Sequence, residues 1–178
     1  MLKFEERLRE RWSVLPLVTV IIPAFNEEDS IVSSIKSACK SRYPRLKVAV
    51  VNDGSADRTL SVVQEAFGLR SVNVPSGAGL STEPVRGVWS SEDGLITLID
   101  KVNGGKADAI NAGINLTRSP LVCVVDADTL LERDTLLYLA EPFFDNPAML
   151  VVGGFIRLKR PVRSGVLATI LYWLQELE

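Results

Sequence analysis

Leu121-Val122-Cys123-Val124-Val125-Asp126-Ala127-Asp128 is an apolar run that ends in two carboxylates one residue apart. Its length and β-branched content predict a buried strand. Acids at the carboxyl end of such a strand stand where open α/β sheets bind ligands. While the chain stays extended, alternation sends the side chains of Asp126 and Asp128 to the same side. Two hard oxygen donors so placed suit Mg2+ or Mn2+, and a metal held there can bind a diphosphate. Taken alone, an Asp-x-Asp is more often a strand-end turn with two solvated acids. The rest of the chain decides.

Working outward, strands and helices alternate. Leu17 to Pro23 predicts a strand, rich in β-branched residues from Val18 to Ile21. Ala24-Phe25-Asn26 is then a turn, and Asn26 caps a helix from Glu27 to about Lys40 with Ile31, Ile35, Ala38 and Cys39 on its apolar face. Leu46 to Val51 predicts a second strand, ending at Asn52-Asp53-Gly54-Ser55. Asp57 caps a helix from Arg58 to Phe67 that Gly68 stops, and Ser71 to Val74 is a short third strand. This alternation predicts a parallel sheet with right-handed crossovers.

Residues 75–94 break the rhythm with Gly, Ser and Pro. Val85 to Trp89 and Leu95 to Asp100 predict a hairpin around Ser91-Glu92-Asp93-Gly94. Residues 75–100 are therefore read as a loop-and-hairpin insertion, since the α/β rhythm resumes afterwards. Asn103-Gly104-Gly105-Lys106 is a Gly-rich turn opening a helix from Ala107 to Leu116. Beyond the Asp pair, Arg133 to Phe144 predicts a helix, Met149 to Leu158 a strand, and Val162 to Glu178 an amphipathic helix.

Composition narrows the chemistry. In 178 residues, 47% are hydrophobic, enough for a packed core. The formal net charge is −2, against the basic footprint of a nucleic-acid binder, so no nucleic-acid partner is expected. Histidine is absent, which excludes His-based triads and His-ligated zinc. Any metal falls to carboxylates, and any general base is Asp or Glu. Cys39 and Cys123 read as reduced core residues. The charged residues 1–12 lack the apolar stretch of a signal peptide, and Gly165 to Leu174 is too short to cross a bilayer.

In a parallel sheet, three of these strand ends share one edge, which would carry Glu27, Asp53, Asp126 and Asp128 with Lys106 nearby. A divalent cation and Lys106 would relieve the repulsion among these acids. The segments Val20-Ile21-Ile22-Pro23-Ala24-Phe25-Asn26-Glu27-Glu28, Val50-Val51-Asn52-Asp53-Gly54-Ser55-Ala56-Asp57-Arg58-Thr59, Gly104-Gly105-Lys106-Ala107-Asp108-Ala109-Ile110-Asn111-Ala112-Gly113 and Val125-Asp126-Ala127-Asp128 come in this order. Together they resemble the family 2 glycosyltransferases. The resemblance runs from about Val18 to Leu158. The subgroup it resembles is the processive membrane synthases of poly-N-acetylglucosamine, chitin, hyaluronan and cellulose.

The resemblance implies an α/β GT-A fold, Rossmann-like, with an open, mainly parallel sheet flanked by helices. It implies a nucleotide-sugar-binding domain over residues 17–160, after a charged segment 1–16 and before a C-terminal helix 161–178 cut short. Pro23, Ala24, Phe25, Glu27, Asp53, Lys106 and Asp126 are then nucleotide-sugar-binding residues, and Asp128 the metal ligand, for Mg2+ or Mn2+. Phe25 would lie against uracil, Glu27 and Asp53 would contact the nucleoside, and Lys106 would approach the diphosphate or the donor sugar. Asp126 would contact the ribose or donor sugar, and Asp108 and Asn111 are pocket-lining or helix-surface residues. The implied reaction is inverting transfer of a sugar from a UDP-sugar to a saccharide acceptor, at the cytoplasmic face of a membrane that the 162–178 helix would touch.

The chain departs from the family's pattern after the Asp pair. The family's base motif and the Gln-x-x-Arg-Trp motif do not occur, so the base is expected beyond Glu178. Asp134, Glu141 and Asp145 lie on a helix face that reads as solvated and are not assigned as substitutes. The expectation is the donor-binding portion of a longer transferase. The alternative is a catalytically incomplete UDP-binding or regulatory module that lacks the base.

Overall fold

The computed structural model describes residues 15–73, 79–146 and 148–154. The chain divides into two compact units, Met1–Tyr138 and Leu139–Glu178. The first contains the sheet. Its elements run β1 (Val18–Ala24), α1 (Ile31–Cys39), β2 (Leu46–Asn52), α2 (Thr59–Phe67), β3 (Arg70–Ser71), β4 (Val85–Ser90), β5 (Ile96–Lys101), α3 (Lys106–Leu116) and β6 (Leu121–Val124), followed by the start of α4 (Thr135–Asp145).

The six strands form one sheet in the order β3-β4-β5-β2-β1-β6. β1 is parallel to β2 on one side and to β6 on the other, and β5 is parallel to β2. β4 is antiparallel to both β5 and β3. The predicted hairpin therefore forms, and it belongs to the sheet itself. Its second strand fills the place beside β2, and its first, with β3, builds the antiparallel edge.

Both faces of the central strands are covered. Val20, Ile21, Ile22, Val50 and Val51 are fully buried, as the β-branched runs require. One face takes α3 through small residues, with Ala109 and Ala112 against Ile21, Ala49, Val51 and Ile99. Gly113 lets α3 approach closely, since a Cβ there would stand 2.8 Å from Cγ2 of Ile21. Ile31, Ser34, Ile35 and Ala38 form the buried side of α1.

The structure differs from the sequence reading at several places. α1 begins at Ile31, four residues after Glu27, and residues 28–30 form a turn. Asn26 does not cap it: at φ 57° its side chain turns to the next loop and accepts the Ala56 N–H. Among the described residues β6 is an edge strand, with Val122 and Val124 exposed on one face, so the expected burial is not met there. An apolar run reports that a strand favours cover and cannot report whether a neighbour supplies it.

In the second unit, the strand expected from Met149 is absent over residues 149–154. Leu150 and Val151 stand 87% and 82% exposed, and β-branched content forms no strand without a paired partner. Residues 155–158 of that expected strand, Val74, the segment 1–14 and the helix 161–178 lie outside the described residues.

Candidate functional site

The strand order places the site. From β1 the chain moves to β2 and onward on one side, then returns to β6 on the other. The strand order thus reverses between β1 and β6, and ligands of open α/β sheets enter at such a reversal. Pro23 is tolerated in β1 because the β6 ladder stops at the Ile21–Val124 pair, so no N–H is needed at Pro23 on that side. Ala24 is buried, level with Asn52 of β2, and its carbonyl accepts the Asp53 N–H at 2.9 Å.

The loops after β1 and β2 are laced together. The Glu27 N–H donates to Thr59 Oγ1 at 2.8 Å, and the Glu28 N–H to Asp57 Oδ2 at 3.1 Å. Asp57 also accepts the Thr59 N–H at 2.9 Å, but α2 begins at Thr59, so the N-cap position falls on Arg58, one residue after the expected Asp57. Burial would raise the Asp57 pKa; the bonds from Thr59 and Glu28 outweigh it and hold the carboxyl below its usual value. Glu28 returns the contact by accepting the Arg58 N–H at 2.9 Å. On this braced platform Phe25 is 51% exposed. The ring is therefore not a covered core aromatic and is open to a partner. The Glu27 carboxylate accepts the Ser30 hydroxyl.

Asp53 is 3% exposed and its carboxylate is engaged on both oxygens. Oδ1 accepts Lys101 Nζ at 2.6 Å and the Gly104 N–H at 3.0 Å, and Oδ2 accepts the Gly105 N–H at 2.8 Å. Asn103 Nδ2 adds a bond to the Asp53 carbonyl at 2.8 Å. One lone pair, on Oδ2, is left for another donor. Lys101 has no exposed surface, and its ammonium also meets Asp108 Oδ1 and, at 2.6 Å, the Val102 carbonyl. Burial pulls the Lys101 pKa down; the bonds and charges of Asp108 and Asp53 more than reverse that, and it ends above its usual value. The Lys101 bond holds Asp108 below the usual carboxylate range.

The sequence reading did not single out Lys101. A usable signal was the register: β5 runs parallel to β2 with Asn52 level with Asp100, so Lys101 follows beside Asp53. Such a register is visible only once the hairpin is known to join the sheet next to β2.

Lys106 opens α3 after Gly105, whose φ of 87° is readily available only to glycine. Its Nζ donates to Asp126 Oδ1 at 2.5 Å, which ties the Gly-rich turn to the end of β6. Past β6, Val125 and Ala127 are buried while Asp126 and Asp128 face outward, half-exposed and exposed. The following loop is held from α1, where Ser34 Oγ donates to the Thr129 carbonyl at 2.8 Å and Ser37 Oγ accepts the Leu131 N–H at 2.9 Å.

A divalent cation is the group that this arrangement has to be tested for. Among the described residues, no three His, Cys, Asp or Glu side chains form a ready-made cage. Asp128 nevertheless presents an exposed hard-oxygen donor, whose nearest partner is the Thr129 hydroxyl at 3.5 Å. Such a donor fits an ion that takes one or two carboxylates and completes its shell with waters and phosphate oxygens.

A sequence model of the family described as glycosyl transferase family 2 matches residues 19–175. The chain is 33% identical over 150 residues to a probable glycosyltransferase, YdaM, of Bacillus subtilis (strain 168), covering 83% of this chain and 31% of that protein. It is 25% identical over 154 residues to the poly-beta-1,6-N-acetyl-D-glucosamine synthase of Staphylococcus epidermidis, covering 86% and 31%. Among solved structures it is similar to the mannosyltransferase PcManGT of Pyrobaculum calidifontis in complex with GDP-Man and Mn2+. That likeness has a TM-score of 0.53 at 26% identity, over 76% of this chain and 37% of the other. The chain thus spans about a third of the length of the curated relatives that it matches.

Proposed function

The chain belongs to glycosyl transferase family 2, and from that premise we propose that its sheet edge binds the nucleotide-sugar donor of a sugar transfer. The observation that carries this reading is the Lys106–Asp126 ion pair, which joins the Gly-rich turn to the Asp pair across the strand-order reversal. An exposed aromatic on one side and an exposed hard-oxygen donor on the other match the two ends of a nucleoside diphosphate.

In this reading Phe25 stacks on the base, beside the backbone of Pro23 and Ala24, and Glu27 lies toward the nucleoside. Lys106 leaves Asp126 for the diphosphate, an exchange of one anionic partner for another. Asp126 is thereby released to accept hydrogen bonds from ribose or donor-sugar hydroxyls. Asp128 would hold Mg2+ or Mn2+, which supplies neutralisation of the charge that builds on the leaving diphosphate. The nucleotide is UDP, on the resemblance of the four sequence segments, and the acceptor a saccharide, a choice supported by the likeness to a poly-beta-1,6-N-acetyl-D-glucosamine synthase. In the whole protein an acceptor hydroxyl, deprotonated by a carboxylate, would attack opposite the diphosphate and invert the anomeric carbon. We extend the proposal to a place at the cytoplasmic face of a membrane, on the resemblance of the sequence segments to the processive membrane synthases alone; no described helix is long and apolar enough to cross one.

Calorimetric titration of the chain with UDP and with GDP, in Mn2+ and again in EDTA, tests the donor site. The expected result is metal-dependent UDP binding that Asp128→Ala abolishes while the fold is retained. Binding of GDP in preference to UDP would overturn the nucleotide assignment. A folded chain that takes neither nucleotide in Mn2+ would overturn the donor site itself.

A further inference from the structure

We infer that Lys101 is a positioning residue: buried between Asp53 and Asp108, it holds the Gly104-Gly105 turn in the form that presents Lys106 and the start of α3 to the donor's diphosphate. The inference rests on the donor-site reading above and assigns a role to residues outside the surface that touches the donor.

The geometry is a small scaffold with one cation at its centre. The Lys101 ammonium donates hydrogen bonds to Asp53 and to the Val102 carbonyl and is ion-paired with Asp108. Each carboxylate then reaches onward to backbone. Asp53 receives the N–H groups of Gly104 and Gly105, and Asp108 Oδ2 receives the Glu83 N–H at 3.0 Å. The turn is thus clamped to β2 through Asp53, to β5 through Lys101, and to the segment before β4 through Asp108. Gly104 leaves no room for a side chain, because a Cβ there would stand 2.6 Å from the Asp108 carboxyl.

A lysine without solvent is a poor way to gain stability, since an apolar side chain of similar volume often does as well or better. What an apolar residue cannot do is orient two carboxylates whose oxygens fix the N–H groups of the turn. Lys101 is paired to the loop that carries Lys106, not to the apolar sheet interior, and that location favours positioning over stability.

The test compares UDP with uridine, because the ratio of their affinities isolates what the diphosphate contributes. In the full 178-residue chain, Lys101→Met is expected to lower UDP affinity by about tenfold or more, the scale of a misplaced binding group, with uridine affinity unchanged. Asp108→Asn weakens one arm of the clamp and is expected to lower the same ratio; it serves alone if Lys101→Met does not fold. An unchanged ratio in a folded variant, or equal losses for UDP and uridine, would overturn the positioning role while leaving the donor site standing. A wild-type chain that binds no UDP would overturn both.

Discussion

At the scale of the residue, the site separates side chains that meet solvent from those that hold them in place. Phe25, Lys106 and Asp128 are exposed, whereas Asp53, Lys101 and Thr59 are buried and bonded to their neighbours. Removing an exposed group should therefore change binding without changing the fold. Base–aromatic stacking contributes about 1–3 kcal/mol, so Phe25→Ala should weaken UDP by about ten- to a hundredfold. Uridine should weaken by the same factor, in contrast to the Lys101 variants, and urea unfolding should stay at the wild-type midpoint. Phe25, Lys106 and the Asp pair were legible in the sequence because each sits in a short segment whose chemistry is local. Lys101 was not, because its partners Asp53 and Asp108 lie 48 and 7 positions away and meet it only through the β2–β5 register and the Gly-rich turn.

At the scale of the element, small residues set how near α3 comes to the sheet. Gly113→Ala opposes two effects: about 1 kcal/mol of helix propensity gained, against an added methyl 2.8 Å from a fully buried Ile21. Overpacking a closed core costs about 1–3 kcal/mol, so the clash wins and the variant should unfold at lower urea than wild type. The strands and helices of the first unit were legible because hydrophobic period and turn residues agree there. β1, β2, the hairpin and α3 fall within a residue or so of their expected bounds. The start of α1 was not, because the N–H groups of Glu27 and Glu28 are claimed by Thr59 and Asp57, some thirty positions on. Over residues 149–154 the expected strand did not form for the complementary reason: its propensity was present but no pairing partner stands among the described residues.

At the scale of the whole molecule, the buried charges set a pH window. The Asp108 pKa is lowered in the fold, so its contribution is complete above the unfolded value near 3.8 and is lost as pH falls through the folded one. The Lys101 pKa is raised, so its contribution is complete below 10.5 and is lost as pH rises through the folded value. Stability should accordingly hold across neutral pH and decline at both extremes. Asp108→Asn should flatten the acid limb of a plot of urea midpoint against pH; an unaltered limb would show that other carboxylates control it. The edge position of β6 has a different consequence, through Cys123, which pairs with Val20 across the β1–β6 ladder. Desolvation pushes its thiol up to about 11, so at pH 8 only about a thousandth of it is thiolate in the closed strand. An alkylating reagent then reacts slowly with the closed strand and faster whenever that margin of the sheet peels away, so the sulfur becomes a chemical report on how firmly the strand leading to Asp126 and Asp128 is held.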